Sequence, residues 1–245
     1  MDLNDTRALK RLVWVSRRYL IRMAFIHLET YRHSRRVAGD LASFGWFVLE
    51  EYECEFNSVE IAKHKEAIPF VMEILGNLHD IGKFQSDVLP VIKLPRKLTA
   101  EEYNLVKTHP VKSREFIIRE KILDPSDPVQ RIWLTAIDRH HTRFDGKGYP
   151  EEVIYDGDFT ETEIKEINFY RSLIELWDAV DTMRHKRVYK RQVARINTVL
   201  RELKNNAGSQ FNPAVVEAIK CFLIKKKRLT KKQLAQLIEL PAGST

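Results

Sequence analysis

Helix-start signals recur along this chain and leave little length for any other structure. Thr99 to Glu102 and Thr160 to Glu163 both read Thr-x-x-Glu. In that capping box the hydroxyl and the carboxylate satisfy free backbone N–H groups of a first turn. Asp127-Pro128 and Asn212-Pro213 put a side-chain acceptor at the cap and a proline where no N–H is needed. Asn57 or Ser58 caps a further helix from near Val59, which Pro69 breaks or restarts. Glycine and proline number nine each in 245 residues, too few to punctuate a turn-rich β fold. The expectation is an all-α protein.

Residues 5–28 place Leu9, Leu12, Val13, Leu20, Met23 and Ala24 near helical spacing, with arginines on the other face. The run continues through Arg32 to Phe47 and carries His33. Phe70 to Asp80 reads as a buried helix ending at Gly82. Residues 84–98, with Pro90 and Pro95, read as a loop. The helix opened by Thr99 runs to His109, where Pro110 bends or ends it. The helix from Pro128 runs toward His141, and residues 142–160 form a glycine-rich loop. The next helix carries Asp178 and Asp181 to about His185, and a last core helix ends near Leu223.

Residues 220–232 hold seven lysines and arginines and no acid, which equals the whole net charge of +7. The basic character is therefore a property of the tail, not of a groove. Cys54 and Cys221 have no metal or redox spacing and fit a reducing compartment. No apolar run reaches a membrane span, and Arg17, Arg18 and Arg22 interrupt any signal-peptide pattern. A cytoplasmic location is expected.

Five of the eight histidines, His33, His79, His109, His140 and His141, fall on or beside predicted helices. One helical histidine alone is more often a packing or surface residue. The set with Asp80 and Asp178 changes that. Phosphodiester hydrolysis needs charge stabilisation and a deprotonated water near neutral pH, and two close divalent ions supply both. Adjacent His79-Asp80 and His140-His141 can each serve two ions. Imidazole and carboxylate without thiolate suit iron, manganese, cobalt or nickel better than structural zinc, magnesium or calcium. Glu29 lies one helical turn before His33 on the same face. Lys83 lies four residues after His79, where its ammonium can meet a phosphate oxygen or the end of the helix dipole. Gly146 and Gly148 let a backbone approach a ligand closely, with Tyr149 as a lip.

His79-Asp80-Ile81-Gly82-Lys83, then His140-His141, then Asp145-Gly146-Lys147-Gly148-Tyr149-Pro150, then Asp178 to Arg184, resemble the HD-GYP family over roughly residues 25–223. The resemblance implies a single HD-type helical domain, preceded by a leading helix (1–24) and followed by a basic tail (224–245). No sensor or receiver domain is expected ahead of the catalytic part. The resemblance implies hydrolysis of a cyclic dinucleotide, above all cyclic di-GMP, to a linear dinucleotide or GMP. Two or three iron or manganese ions would be held by Glu29, His33, His79, Asp80, His109, His140, His141 and Asp178. Asp80 and Lys83 would be catalytic. Lys83, Gly146, Gly148, Tyr149, Arg184 and Arg187 would meet substrate, with Arg187 and Tyr189 matching an Arg-x-Tyr motif. The Gly-Tyr-Pro loop would also contact diguanylate cyclase domains. The chain departs from the family at Thr142, where Glu is usual, at Thr182, where Ala is usual, and in two longer gaps. These bear on substrate preference and loop shape. The alternatives are another nucleotide phosphohydrolase of the HD superfamily, or an inactive metal-bound adaptor that docks on a cyclase.

Overall fold

A computed structural model describes residues 1–52, 55–150, 159–185 and 193–226. Arg187, Tyr189, Cys54 and the basic tail from residue 227 lie outside the described residues. Among those described, the structure is ten α-helices with no strand beyond two isolated bridges. The helices are α1 (Thr6–Ile26), α2 (Leu28–Glu50), α3 (Ile68–Leu78), α4 (Val88–Ile92), α5 (Ala100–Val106), α6 (His109–Arg119), α7 (Pro128–Asp138), α8 (Glu161–Arg184), α9 (Ile196–Asn205) and α10 (Pro213–Lys225). The all-α expectation holds. No described helix is long and apolar enough to cross a membrane.

Cap chemistry sets most of these boundaries. Both capping boxes form, at Thr99 with Glu102 and at Thr160 with Glu163. Asp127 accepts from the Gln130 N–H and Asn212 from the Ala214 N–H, each just ahead of a proline. Other boundaries differ from the sequence reading. α1 and α2 are not continuous: His27 is extended and its ring caps the Thr30 N–H. Residues 55–67 form three short 3-10 turns, so the helix placed near Val59 starts at Ile68 instead. The loop of residues 84–98 contains α4. The helix opened by Thr99 ends at Val106, and Pro110 sits in the first turn of a new helix, where a proline is tolerated. α7 stops at Asp138, short of His141, and α9 was not foreseen.

The core forms around α8, buried for most of its length from Glu166 to Asp181. Trp177 of α8 meets Phe44 of α2 and Phe222 of α10 edge to face, with centroids 5.6 and 6.1 Å away. α1 joins the same core through Leu9, Val13, Leu20 and Met23. Three lysines of the basic run are tied into the fold. Lys220 is buried and bonds to Glu217, Lys225 pairs with Glu51, and Lys226 lies over the Phe222 ring.

The α2–α3 contact positions the functional residues. A Cβ added at Gly76 would lie 2.4 Å from the Ala38 Cα, and one at Gly45 2.8 Å from the Met72 side chain. The two helices thus run antiparallel in close contact. Continuing the register, His33 comes opposite His79, and their rings are 5.5 Å apart. Filling this contact should separate the helices. Gly76→Ala is expected to lose about 1–3 kcal/mol of stability. Gly39→Ala, on the same helix pair but open to solvent with nothing within 4 Å, should gain about 0.5–1 kcal/mol from helix propensity. Denaturant unfolding of both variants checks the pair; equal effects would contradict the close contact.

Candidate metal centre

Three histidines are oriented in the same way. His79 Nδ1 donates to the Gly76 carbonyl at 2.9 Å, His109 Nδ1 to Val106 at 2.8 Å, and His140 Nδ1 to Ile137 at 2.6 Å. A carbonyl can only accept, so each Nδ1 carries the proton and each Nε2 presents a lone pair. The acceptors are carbonyls near the C-terminal ends of α3, α5 and α7, where a helix leaves carbonyls unsatisfied. Three negative helix ends therefore converge where a cation would sit.

The lone pairs face one another. His109 and His140 Nε2 lie 3.3 Å apart, with no proton between them in the neutral rings. His79 Nε2 is buried without a hydrogen-bond partner. Burial lowers the pKa of His79 and His109 and lowers that of His140 well below the usual histidine range, while His141 is pushed down to about 3. Neutral imidazoles are what a metal ion requires.

Asp80 stands at the middle. One oxygen is 3.1 Å from His109 Nε2; the other is 3.4 Å from His33, 3.6 Å from His79 and 2.6 Å from the Lys83 ammonium. Burial alone would raise its pKa, but the Lys83 ammonium holds it well below the usual carboxylate range. Asp178 is likewise pushed up by burial and pulled well below by His33 and His141. It lies 3.0 Å from His33 and 3.7 Å from His141.

Three groups of ligand atoms each fall within 4.8 Å of one another: His109 with His140 and His141, His33 with His79 and Asp178, and His79 with Asp80 and His140. The first two are separate triplets, and Asp80 lies between them. Opposed lone pairs, a bare buried Nε2 and ionised carboxylates fit a pair of divalent cations, with nitrogen and oxygen donors and no thiolate.

His33 is held differently. Its Nδ1 is 2.7 Å from Asp181, which Arg36 grips with bonds of 2.6 and 2.8 Å. Asp181 is held down to about 2, burial being outweighed by Arg36 and His33. A carboxylate behind a ligating imidazole orients it and strengthens it as a donor. Sequence reading placed Asp181 on the right helix but missed this role. The signals were its position one turn beyond Asp178 and Arg36 three residues after His33.

The glycine loop folds back on the centre. Gly148 has φ +96° and pairs with Thr142, and a Cβ there would lie 2.2 Å from the His141 carbonyl. Gly146, at φ +79°, turns the exposed tip. The Tyr149 ring then packs 4.6 Å from His141 and 6.3 Å from His109. Gly82 serves the other side: its N–H donates to Ser113, whose hydroxyl donates to the His79 carbonyl. Its missing Cβ leaves room for the α6 backbone, since a Cβ would lie 2.1 Å from the His109 carbonyl.

Two expected site residues stand apart. Glu29, in the first turn of α2, belongs to none of the three ligand groups. It lines a cavity of about 360 Å³ together with Lys83. Arg184 is exposed and lines a different cavity beside Arg36 and Asp181.

An all-α frame that gathers buried neutral imidazoles and ionised carboxylates into two adjacent triplets defines a helical protein with a histidine–aspartate cluster that could hold metal. The HD domain family matches residues 30–183. The chain is 30% identical over 206 residues to a cyclic di-GMP phosphodiesterase of Thermotoga maritima, covering 83% of this chain and 46% of that protein. It is 29% identical over 149 residues to a cyclic di-GMP phosphodiesterase response regulator of Xanthomonas campestris pv. campestris, covering 61% and 35%. It is 32% identical over 157 residues to a cyclic di-GMP phosphodiesterase of Vibrio cholerae, covering 61% and 29%. The chain thus spans less than half the length of these relatives. It belongs to the HD domain family and, by its motifs, to the HD-GYP group within it.

The depressed histidines make stability of the metal-free protein fall with acid. Their folded values lie below the ordinary 6.5, so the unfolded chain takes up protons first as pH drops below it. Glu175 acts in the other direction. Burial raises it from 4.5 to about 9, so the stability of its protonated form is full below 4.5 and is lost as pH rises toward 9. The metal-stripped protein is therefore expected to be most stable near pH 6–7, roughly the ordinary histidine pKa. Denaturant midpoints from pH 5 to 9 test this; a midpoint rising steadily toward pH 5 would show that the histidines are not buried neutral.

Proposed function

We propose that the chain is a metal-dependent phosphodiesterase that opens a 3′,5′-cyclic dinucleotide, cyclic di-GMP first, to linear pGpG and onward to GMP. The observation that carries this reading is the opposed His109 and His140 lone pairs beside Asp80, which a cation between them would satisfy. The relatives add the substrate class, since all three named above are cyclic di-GMP phosphodiesterases.

Bound divalent ions, iron or manganese by the donor set, would lower the pKa of a water and offset charge on the phosphate. The protein's own groups do the rest. His33, His79 and Asp178 would hold one ion, and His109, His140 and His141 the other, with Asp80 spanning them. Arg36 and Asp181 keep His33 aligned. Lys83 is bonded to Asp80 and also lines the 360 Å³ cavity, so its ammonium stands between the carboxylate and an incoming phosphate. Tyr149 covers the outer side of His141, and burial raises its pKa so that it stays protonated. The exposed tip of the same loop, Phe144 and Lys147, is where we place contact with diguanylate cyclase domains. Arg184 and Arg187 remain proposed substrate contacts, and Glu29 a ligand of a third ion. The cytoplasmic setting expected from the cysteines goes with a cytoplasmic substrate.

Anaerobically prepared, manganese- or iron-loaded protein should hydrolyse cyclic di-GMP and stop on chelation. No product with any of iron, manganese, cobalt or nickel would leave the adaptor reading. Lys83→Ala should keep its metals and lose about 10²–10³ in rate, the usual effect of removing one charge-stabilising donor. Loss of metal along with rate would make Lys83 structural.

Metal analysis tests Glu29 separately. The native protein should carry about three ions and Glu29→Ala about two, because two octahedral ions can be completed without it. Two ions in both proteins would remove the third site and leave the two-metal centre standing.

A further inference from the structure

The 360 Å³ cavity beside the metal centre is mixed in character. Lys83, bonded to Asp80, is one of its walls. Ile92, Leu94, Leu98 and Val106 make other walls apolar, and Tyr103 of α5 stands among them with half its surface exposed. Ligand pockets run from about 300 to 1,000 Å³, so this one has room for part of a nucleotide, not for a whole cyclic dinucleotide.

A purely electrostatic phosphate site has no use for four aliphatic walls and an exposed aromatic ring. A planar base does. Bases held outside a duplex are bound by stacking on aromatic rings, and every base has a face for it. Tyr103 is presented for that purpose by rigid surroundings. The Thr99–Glu102 capping box fixes the first turn of α5, and Glu102 also grips Arg96 with two bonds of 2.7 Å. Arg96 and Lys97 line the cavity as cations. Lys107 lies over the Tyr103 ring at 5.0 Å.

We propose that this cavity is the subsite for one purine base of the substrate, with Tyr103 as the stacking face and Lys83 meeting the attached phosphate. This rests on the nucleotide-directed reading above and adds where a base is recognised.

The test is a binding measurement, so it does not depend on turnover. Calorimetric titration of the manganese-loaded protein compares guanosine 5′-monophosphate with ribose 5-phosphate, which has the phosphate and sugar and no base. The nucleotide should bind about tenfold tighter or more, in line with the worth of one stacked base. Tyr103→Ala should bring the two ligands to within about twofold, and Tyr103→Phe should keep the advantage, since the ring face and not the hydroxyl is used. Metal content should be unchanged in both variants, as Tyr103 is half exposed and belongs to no ligand group. Equal binding of the two ligands by the native protein, or a base advantage that survives in Tyr103→Ala, overturns the proposal. Base-dependent binding without hydrolysis of cyclic di-GMP would instead count against the phosphodiesterase reading alone.

Discussion

Three hydrogen bonds from imidazole Nδ1 to the carbonyl three residues earlier organise this protein. They fix the tautomer of His79, His109 and His140, and they use carbonyls in the last turns of α3, α5 and α7. One bond therefore satisfies a helix end and aims a ligand. The cost appears at the other nitrogen. Lone pairs only 3.3 Å apart repel, and burial denies them water. A divalent cation between them would turn that repulsion into coordination, which would make folding and metal binding one problem.

The remaining ligands come from a separate pair of helices. α2 and α8 carry His33 and Asp178, and for His33 a bond to Asp181, itself held by Arg36, replaces the backbone tether used elsewhere. Asp80 reaches both halves. The antiparallel α2–α3 contact through Gly76 brings His33 to His79. Small residues at this helix contact thus set the distance between His33 and His79.

Much of this was legible in the sequence. Helix starts were readable because caps are local: Thr99, Asp127, Thr160 and Asn212 all do what their spacing says. The candidate cluster was readable because metal chemistry restricts residue type, and seven of the eight expected ligands fall within the three groups that could hold an ion. What depended on tertiary contact was not. α9 opens at Arg195 with no side-chain cap hydrogen bond to announce it. The helix expected from near Val59 gave way to 3-10 turns, and Pro110 opened a helix instead of closing one. The Asp181–His33 bond joins residues 148 apart, and no local pattern records such a pairing. Tyr103 sat inside a recognised helix, but only the cavity shows what its ring faces.

The central claim is that two cations belong between these side chains, with Asp80 reaching both. Anomalous diffraction from crystals of the manganese-loaded protein tests it most directly. The account predicts one peak among His33, His79 and Asp178, a second among His109, His140 and His141, and Asp80 in contact with each. An absence of peaks there, or ions bound with Asp80 uninvolved, would contradict it.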